Sequence, residues 1–170
     1  MGIKQLLFLA AIVLCIPRVN AQDDKFKALF MYNFTKYLEW PTQMQQGNFV
    51  IGVYGSSPVI AELNIIAGKR GIGRQKLEIR KINELAELTG CHIVYVPEAR
   101  TDKLSQINKV CKNHGIVLIS DGPGLAKSYA GLNYIKVNGK LNFEINRQHI
   151  ENEGIKVNTA LFSLGIQVDQ

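Results

Sequence analysis

The feature that most constrains the fold is a pair of short, nearly unbroken apolar runs, "CHIVYV" (Cys91 to Val96) and "IVLIS" (Ile116 to Ser120). Each is too short for an ordinary helix and lacks the every-second-residue alternation of a strand with one wet face. Each is expected to be a strand covered on both sides, as in a parallel sheet. "FVIGVYG" (Phe49 to Gly55) has the same character.

Helical segments fall between these runs. "SSPVIAELNIIAG" has Ser57 as cap, Pro58 at the first helical position and Gly68 as stop. A short helix starts at Asn83 and ends near Gly90. "TDKLSQINKVCKNHG" carries Leu104, Ile107, Val110 and Cys111 on one side, with a cap at Thr101 and a stop at Gly115. "KLEIRKI" alternates and reads as a strand with one wet face. The order predicts an α/β fold: a mixed, mostly parallel sheet flanked by helices on both faces. The last third adds a β-hairpin, "LNYIKVNGKLNFEI", on the favoured turn pair Asn138-Gly139. A short helix capped by Asn146 and a closing helix capped by Asn158 complete it.

Residues 1–21 stand outside this domain. A basic start at Lys4, an apolar run from Leu6 to Ile16 and small Ala21 after a polar stretch describe a secretory leader cut between Ala21 and Gln22. The run is shorter than the roughly 20 residues that span a bilayer. Bulky Leu14 before Cys15 disfavours lipid attachment there. Residues 22–170 then form a single domain in an oxidising compartment, expected to be the periplasm. Without Lys4 and Arg18 that domain has 18 basic and 14 acidic residues, a net charge of +4. Such mild basicity does not point to nucleic acid.

The first mature helix, "FKALFMYNFTKYLEWP", reads with Phe26, Leu29, Phe30, Asn33, Phe34, Tyr37 and Leu38 on one apolar stripe, stopping near Trp40 because of Pro41. Asn33 in that stripe is expected to tie the helix to backbone groups of a neighbouring loop. His92, at the start of a core strand, is expected to be partly buried and hydrogen-bonded.

Catalytic patterns are weak. Ser120-Asp121 ends a buried strand, where open α/β sheets place ligands, yet no G-x-S-x-G surrounds Ser120 and the three histidines lie in unrelated contexts. Cys91, His92 and Cys111 offer too few ligands, wrongly spaced, for structural zinc. The glycines of "GKRGIGRQ" precede a strand instead of following one, so they read as a flexible loop and not as a phosphate cradle. Its Lys69, Arg70 and Arg74 belong to the densest basic stretch, either a solvated face or a contact for an acidic partner or anionic lipid. No cofactor or metal is expected. Candidate ligand or partner residues are Ser56 and Asp121 at the strand ends, with Arg70 and Arg74.

Cys91 begins a strand and Cys111 closes the helix that returns to the level of that beginning. A disulfide between them is within reach and would stabilise the domain by about 3 kcal/mol; the alternative is two buried free thiols.

In this order the motifs resemble the YfiR family of small periplasmic regulators, from Lys27 to about Ile166. Asn33, Phe34, Lys36, Trp40 and Pro41 match its opening helix. Cys91-His92 matches its Cys-His strand, Asp121 the end of "VLISD", and Phe143 and Asn146 match "KLNFEIN". "DGPGLAKSYAG" lacks the Phe and paired glycines often found after that Asp, and Asn158 stands where Ser is common. The resemblance implies a non-enzymatic repressor of an inner-membrane diguanylate cyclase, controlling cyclic di-GMP and biofilm formation, with redox tuning in some members. A sensor protein for a small molecule, partnering a histidine kinase, is the alternative. Homodimerisation is compatible with either.

Overall fold

A computed structural model describes residues 19–168, with side chains from residue 21. Most of the expected leader therefore lies outside the described residues. No described helix is long and apolar enough to cross a membrane.

The centre is the strand β2 (Phe49–Tyr54), buried at all six positions. It pairs in parallel with β4 (Gln75–Ile82) on one side and β5 (Ile93–Val96) on the other, with Ile51 beside both Ile79 and Ile93. β6 (Val117–Asp121) and β7 (Leu132–Val137) continue the parallel set. β8 (Lys140–Ile145) returns antiparallel to β7 around Asn138-Gly139, whose φ values of 51° and 75° suit the expected hairpin turn. The sequence thus gives a mostly parallel α/β sheet, as its apolar runs require.

Successive residues of the central strands feed two separate cores. Phe49, Ile51, Val53, Ile93, Tyr95, Val117 and Ile119 face α1 (Val19–Phe34) and α2 (Val59–Ala67). Val50, Tyr54, Val94, Val96 and Leu118 face the opposite core, with Leu104, Ile107 and Cys111 of α3 (Leu104–Cys111). Burial on both faces is why the runs carry no polar alternation. Gly52 faces the second core, where an added Cβ would lie 2.9 Å from Cys91 Sγ and 3.1 Å from Ile82. A glycine there lets the thiol pack against the sheet.

The structure corrects the reading of α1 in two ways. The helix ends at Phe34, not Trp40. Thr35 Oγ donates to the Tyr32 carbonyl at 2.7 Å, and a tight turn leads into β1 (Leu38–Glu39), which pairs antiparallel with β9 (Lys156–Val157). That pairing draws the chain out of helix before Pro41 acts. The buried face is also rotated from the expected stripe. Ala28, Met31, Tyr32, Phe34 and Thr35 are buried, while Phe26 and Leu29 are about two-fifths exposed at 40% and 42%. Asn33 is only half-buried and accepts a 2.7 Å bond from Lys36 Nζ in the turn directly after the helix, so its side chain holds no backbone group of a neighbouring loop.

Other boundaries shift. The glycine-rich loop is instead a hairpin, β3 (Gly71–Ile72) against Gln75 and Lys76. Gly73 at its turn has φ 56°, a conformation that glycine adopts without strain. The segment before α3 is already 3-10 helical from Glu98, three residues ahead of Thr101. The short helix after Asn83 is a 3-10 turn whose capping box joins Glu84 and Glu87. The closing helix is also 3-10 (Thr159–Ser163), capped by Asn158 as expected, and leads to a further strand, β10 (Ile166–Gln167), parallel to β8. The short helix α4 (Leu125–Ser128) follows β6, and Asn146 caps the helix α5 (Arg147–Glu151), accepting from the His149 N–H and donating to the Ala126 carbonyl.

Candidate functional site

The carboxyl ends of β2, β5 and β6 open onto a cleft of about 850 Å³. The chain leaves β2 toward β4 and leaves the neighbouring β5 toward β6, in opposite directions across the sheet. Loops diverge at such a point and leave a crevice, the usual ligand position in open α/β sheets. Ser56 follows β2, Pro97 follows β5, and Asp121 ends β6, so Ser56 and Asp121 come together as the sequence suggested. Arg70 and Arg74 do not. They lie at the end of α2 and in the β3–β4 turn, outside the cleft lining.

The cleft wall the sequence reading missed is α1. Asp23, Asp24 and Lys27 project from it, and Tyr95, Tyr134 and Lys136 face them from the sheet. Lys27 Nζ is ion-paired and hydrogen-bonded to Asp121 Oδ2, both side chains about 15% exposed (14% and 15%). Tyr95 donates its hydroxyl to the same carboxylate oxygen at 3.0 Å, and Tyr134 donates to the Lys27 backbone carbonyl at 2.8 Å. Burial, then the Asp121 charge, pushes both phenols upward, so they remain protonated donors. One signal for Lys27 was present: it lies four and seven residues before buried Met31 and Phe34, a charge on the true inward stripe.

The rim is acidic and partly compensated. Asp23 pairs with Lys136 at 2.9 Å, holding that ammonium protonated. Burial raises the Asp24 carboxyl; Lys27 opposes the shift, and Asp121, Asp23 and Glu62 reinforce it. These groups can hold a polar ligand by charge and hydrogen bonds. No histidine lines the cleft to activate Ser56 or Ser57. Ser120 is wholly buried and donates to Asn133 Oδ1 at 2.7 Å, so its hydroxyl is engaged. Among the described residues, no group of three or more His, Cys, Asp or Glu could hold a metal.

The other motif residues cluster at the opposite end of the sheet. Trp40 Nε1 donates to the Gly115 carbonyl at 3.1 Å, and its ring meets Phe49 edge-on at 4.8 Å. His92 stacks on Phe49 at 4.3 Å, accepts the Val50 N–H at Nδ1 and sits 2.7 Å from the Met44 carbonyl through Nε2. These partners require the neutral tautomer protonated at Nε2. Burial lowers its pKa and favours the same neutral state. Both cysteines are buried in the core under α3, as the strand-return argument requires, but they are free thiols. Burial raises Cys91 to about 11 and Cys111 to about 12, so neither is a reactive thiolate.

The YfiR/HmsC-like family model matches residues 24–166. The chain belongs to that family. The match takes in both cores, every strand but the last and all the cleft residues except Asp23. No individual curated protein is similar enough to the chain to be named beside the family.

Proposed function

We propose that this protein is an exported, non-enzymatic regulator that binds the sensor region of an inner-membrane signalling protein and holds it inactive. The signalling protein is taken to be a diguanylate cyclase, so that release raises cyclic di-GMP and favours biofilm formation. The observation carrying this reading is membership of the YfiR/HmsC-like family across nearly the whole folded domain. The engaged Ser120 hydroxyl and the neutral, buried His92 also fit a binding role better than a catalytic one. Affinity capture from solubilised membranes with the tagged domain tests it. Recovery of a protein with a periplasmic sensor and a cytoplasmic cyclase domain is expected; recovery of none contradicts the reading.

A second reading has its own observation, the cleft at the carboxyl ends of the strands. A small polar ligand seated between Ser56 and Asp121 would make the protein a sensor, with a cyclase or a histidine kinase downstream. A ligand that raises Tm in the native chain but not in Asp121→Asn would favour it.

A further inference from the structure

Away from the cleft, α1 and α2 share an outer face that no described element covers. Asp24 lies within electrostatic reach of Glu62, and Arg70 stacks over the Tyr32 ring at 5.6 Å, so the two helices run side by side in the same direction. Leu29 is therefore level with the last turn of α2, which carries Ile65 and Ile66. On this face Phe26, Leu29 and Ile65 are 40%, 42% and 53% exposed, three of the six large apolar side chains most exposed among the described residues.

Cations border the apolar residues. Lys25 flanks them at one end. At the other, Lys36 and Arg70 both sit over the Tyr32 ring, with exposed Lys69 beside them and Arg74 in the adjoining turn. None of these five cations has an ion pair among the described residues, although six other pairs form there. The carboxylates nearest these cations, Asp23, Asp24 and Glu62, all stand at the cleft end beside Lys25, so the end with Lys36, Lys69, Arg70 and Arg74 carries the positive charge. The only carboxylate in the exposed turns of α2 is half-buried Glu62, at the cleft end.

We propose that this face docks on an anionic phospholipid surface, with Phe26, Leu29 and Ile65 entering the headgroup boundary and the cations meeting lipid phosphates. Apolar residues bordered by lysine and arginine on one helical face are the pattern of interfacial binding. Two copies meeting through this face would set five unpaired cations against five. An acidic protein remains the outcome that a lipid experiment can exclude. Docking would hold the protein at the membrane independently of the regulator reading, and protein-free vesicles separate the two.

The test uses the domain from Gln22 onward, because the apolar run from Leu6 to Ile16 would bind lipid by itself. Every core residue lies after position 21, so the folded unit is retained. Sedimentation with phosphatidylglycerol–phosphatidylethanolamine vesicles should show binding that is absent with phosphatidylcholine and reversed by raised salt. Lys69→Gln with Arg74→Gln should weaken it about thirtyfold, from the roughly 1 kcal/mol per cation expected near an anionic surface. Ile65→Ser should weaken it further. Lys109→Gln with Lys112→Gln removes the same charge from the opposite side of the sheet and should leave binding unchanged. Failure to bind, equal binding to phosphatidylcholine, or equal loss in the control pair would overturn the proposal. Unchanged circular dichroism melts confirm that each variant is folded.

Discussion

Lys27 in α1 and Asp121 at the end of β6, 94 residues apart in sequence, form an ion pair that fastens the first helix across the mouth of the sheet. The pair is mostly shielded from water, and Asp121 also receives the Tyr95 hydroxyl. Removing one partner leaves the other charge, and in one case a phenol, without its ligand. Lys27→Met is expected to lower stability by about 2–3 kcal/mol, below the full penalty for a deeply buried pair. Lys27→Met with Asp121→Leu should cost less than the two single changes summed, because only the first break strands a charge. Chemical denaturation of all three variants measures it. Additive losses would mean that the pair contributes nothing as a pair.

His92 makes stability depend on pH in a defined direction. Burial depresses its folded pKa below the unfolded value near 6.5, so the unfolded chain binds the proton first. Stability from this group is complete above about pH 6.5 and is lost as pH falls toward the depressed folded pKa. Burial depresses His149 likewise, and it contributes with the same sign. The midpoint of urea unfolding should fall between pH 7.5 and 5.5, with a slope of at most about 1.4 kcal/mol per pH unit per histidine. His92→Phe should be less stable at neutral pH, since the Val50 N–H and Met44 carbonyl lose their partner. Its remaining pH dependence should be shallower. An unchanged slope would remove His92 as the titrating group.

The two amides singled out in the sequence should behave differently. Asn33 bonds only to Lys36 at the surface, so Asn33→Leu is expected to change stability by no more than about 0.5 kcal/mol. Asn146 is buried, caps α5 and satisfies the Ala126 carbonyl. Asn146→Leu is expected to cost about 2–3 kcal/mol, the loss of a cap plus an orphaned carbonyl. Thermal melts of the two variants should separate clearly. Equal effects would contradict the assigned environments.

Cys91 and Cys111 are free, buried and poorly ionised. Thiol labelling of the chain from Gln22 should be slow in the native state and should reach two thiols once denatured without reductant. A count of zero would show that the exported protein forms the bond expected from the strand-return geometry.

The central sheet was legible because its strands are buried on both faces. "CHIVYV" and "IVLIS" state this in composition alone, and the carboxyl-end rule then placed Ser56 and Asp121 together. Short elements were not legible. β1, β9 and β10 are two residues long and exist through partners distant in the chain, such as Val157 beside Leu38. The rotation of α1 was hidden because aromatics populate adjacent stripes of the helix, and the inward stripe contains Lys27, whose burial makes sense only beside Asp121. For the same reason the α1 side of the cleft was invisible, while Arg70 and Arg74, conspicuous as a charge run, lie elsewhere.

The central claim is that this protein restrains a membrane-bound cyclase, and the most direct measurement is intracellular cyclic di-GMP in cells lacking the gene. Loss of the protein should raise the nucleotide level, and restoring the exported form should return it to the starting value. Expressing residues 22–170, which keep the core residues but lack the proposed leader and with it the proposed export route, should not. An unchanged cyclic di-GMP level on deletion, or rescue by the form without a leader, would contradict the account.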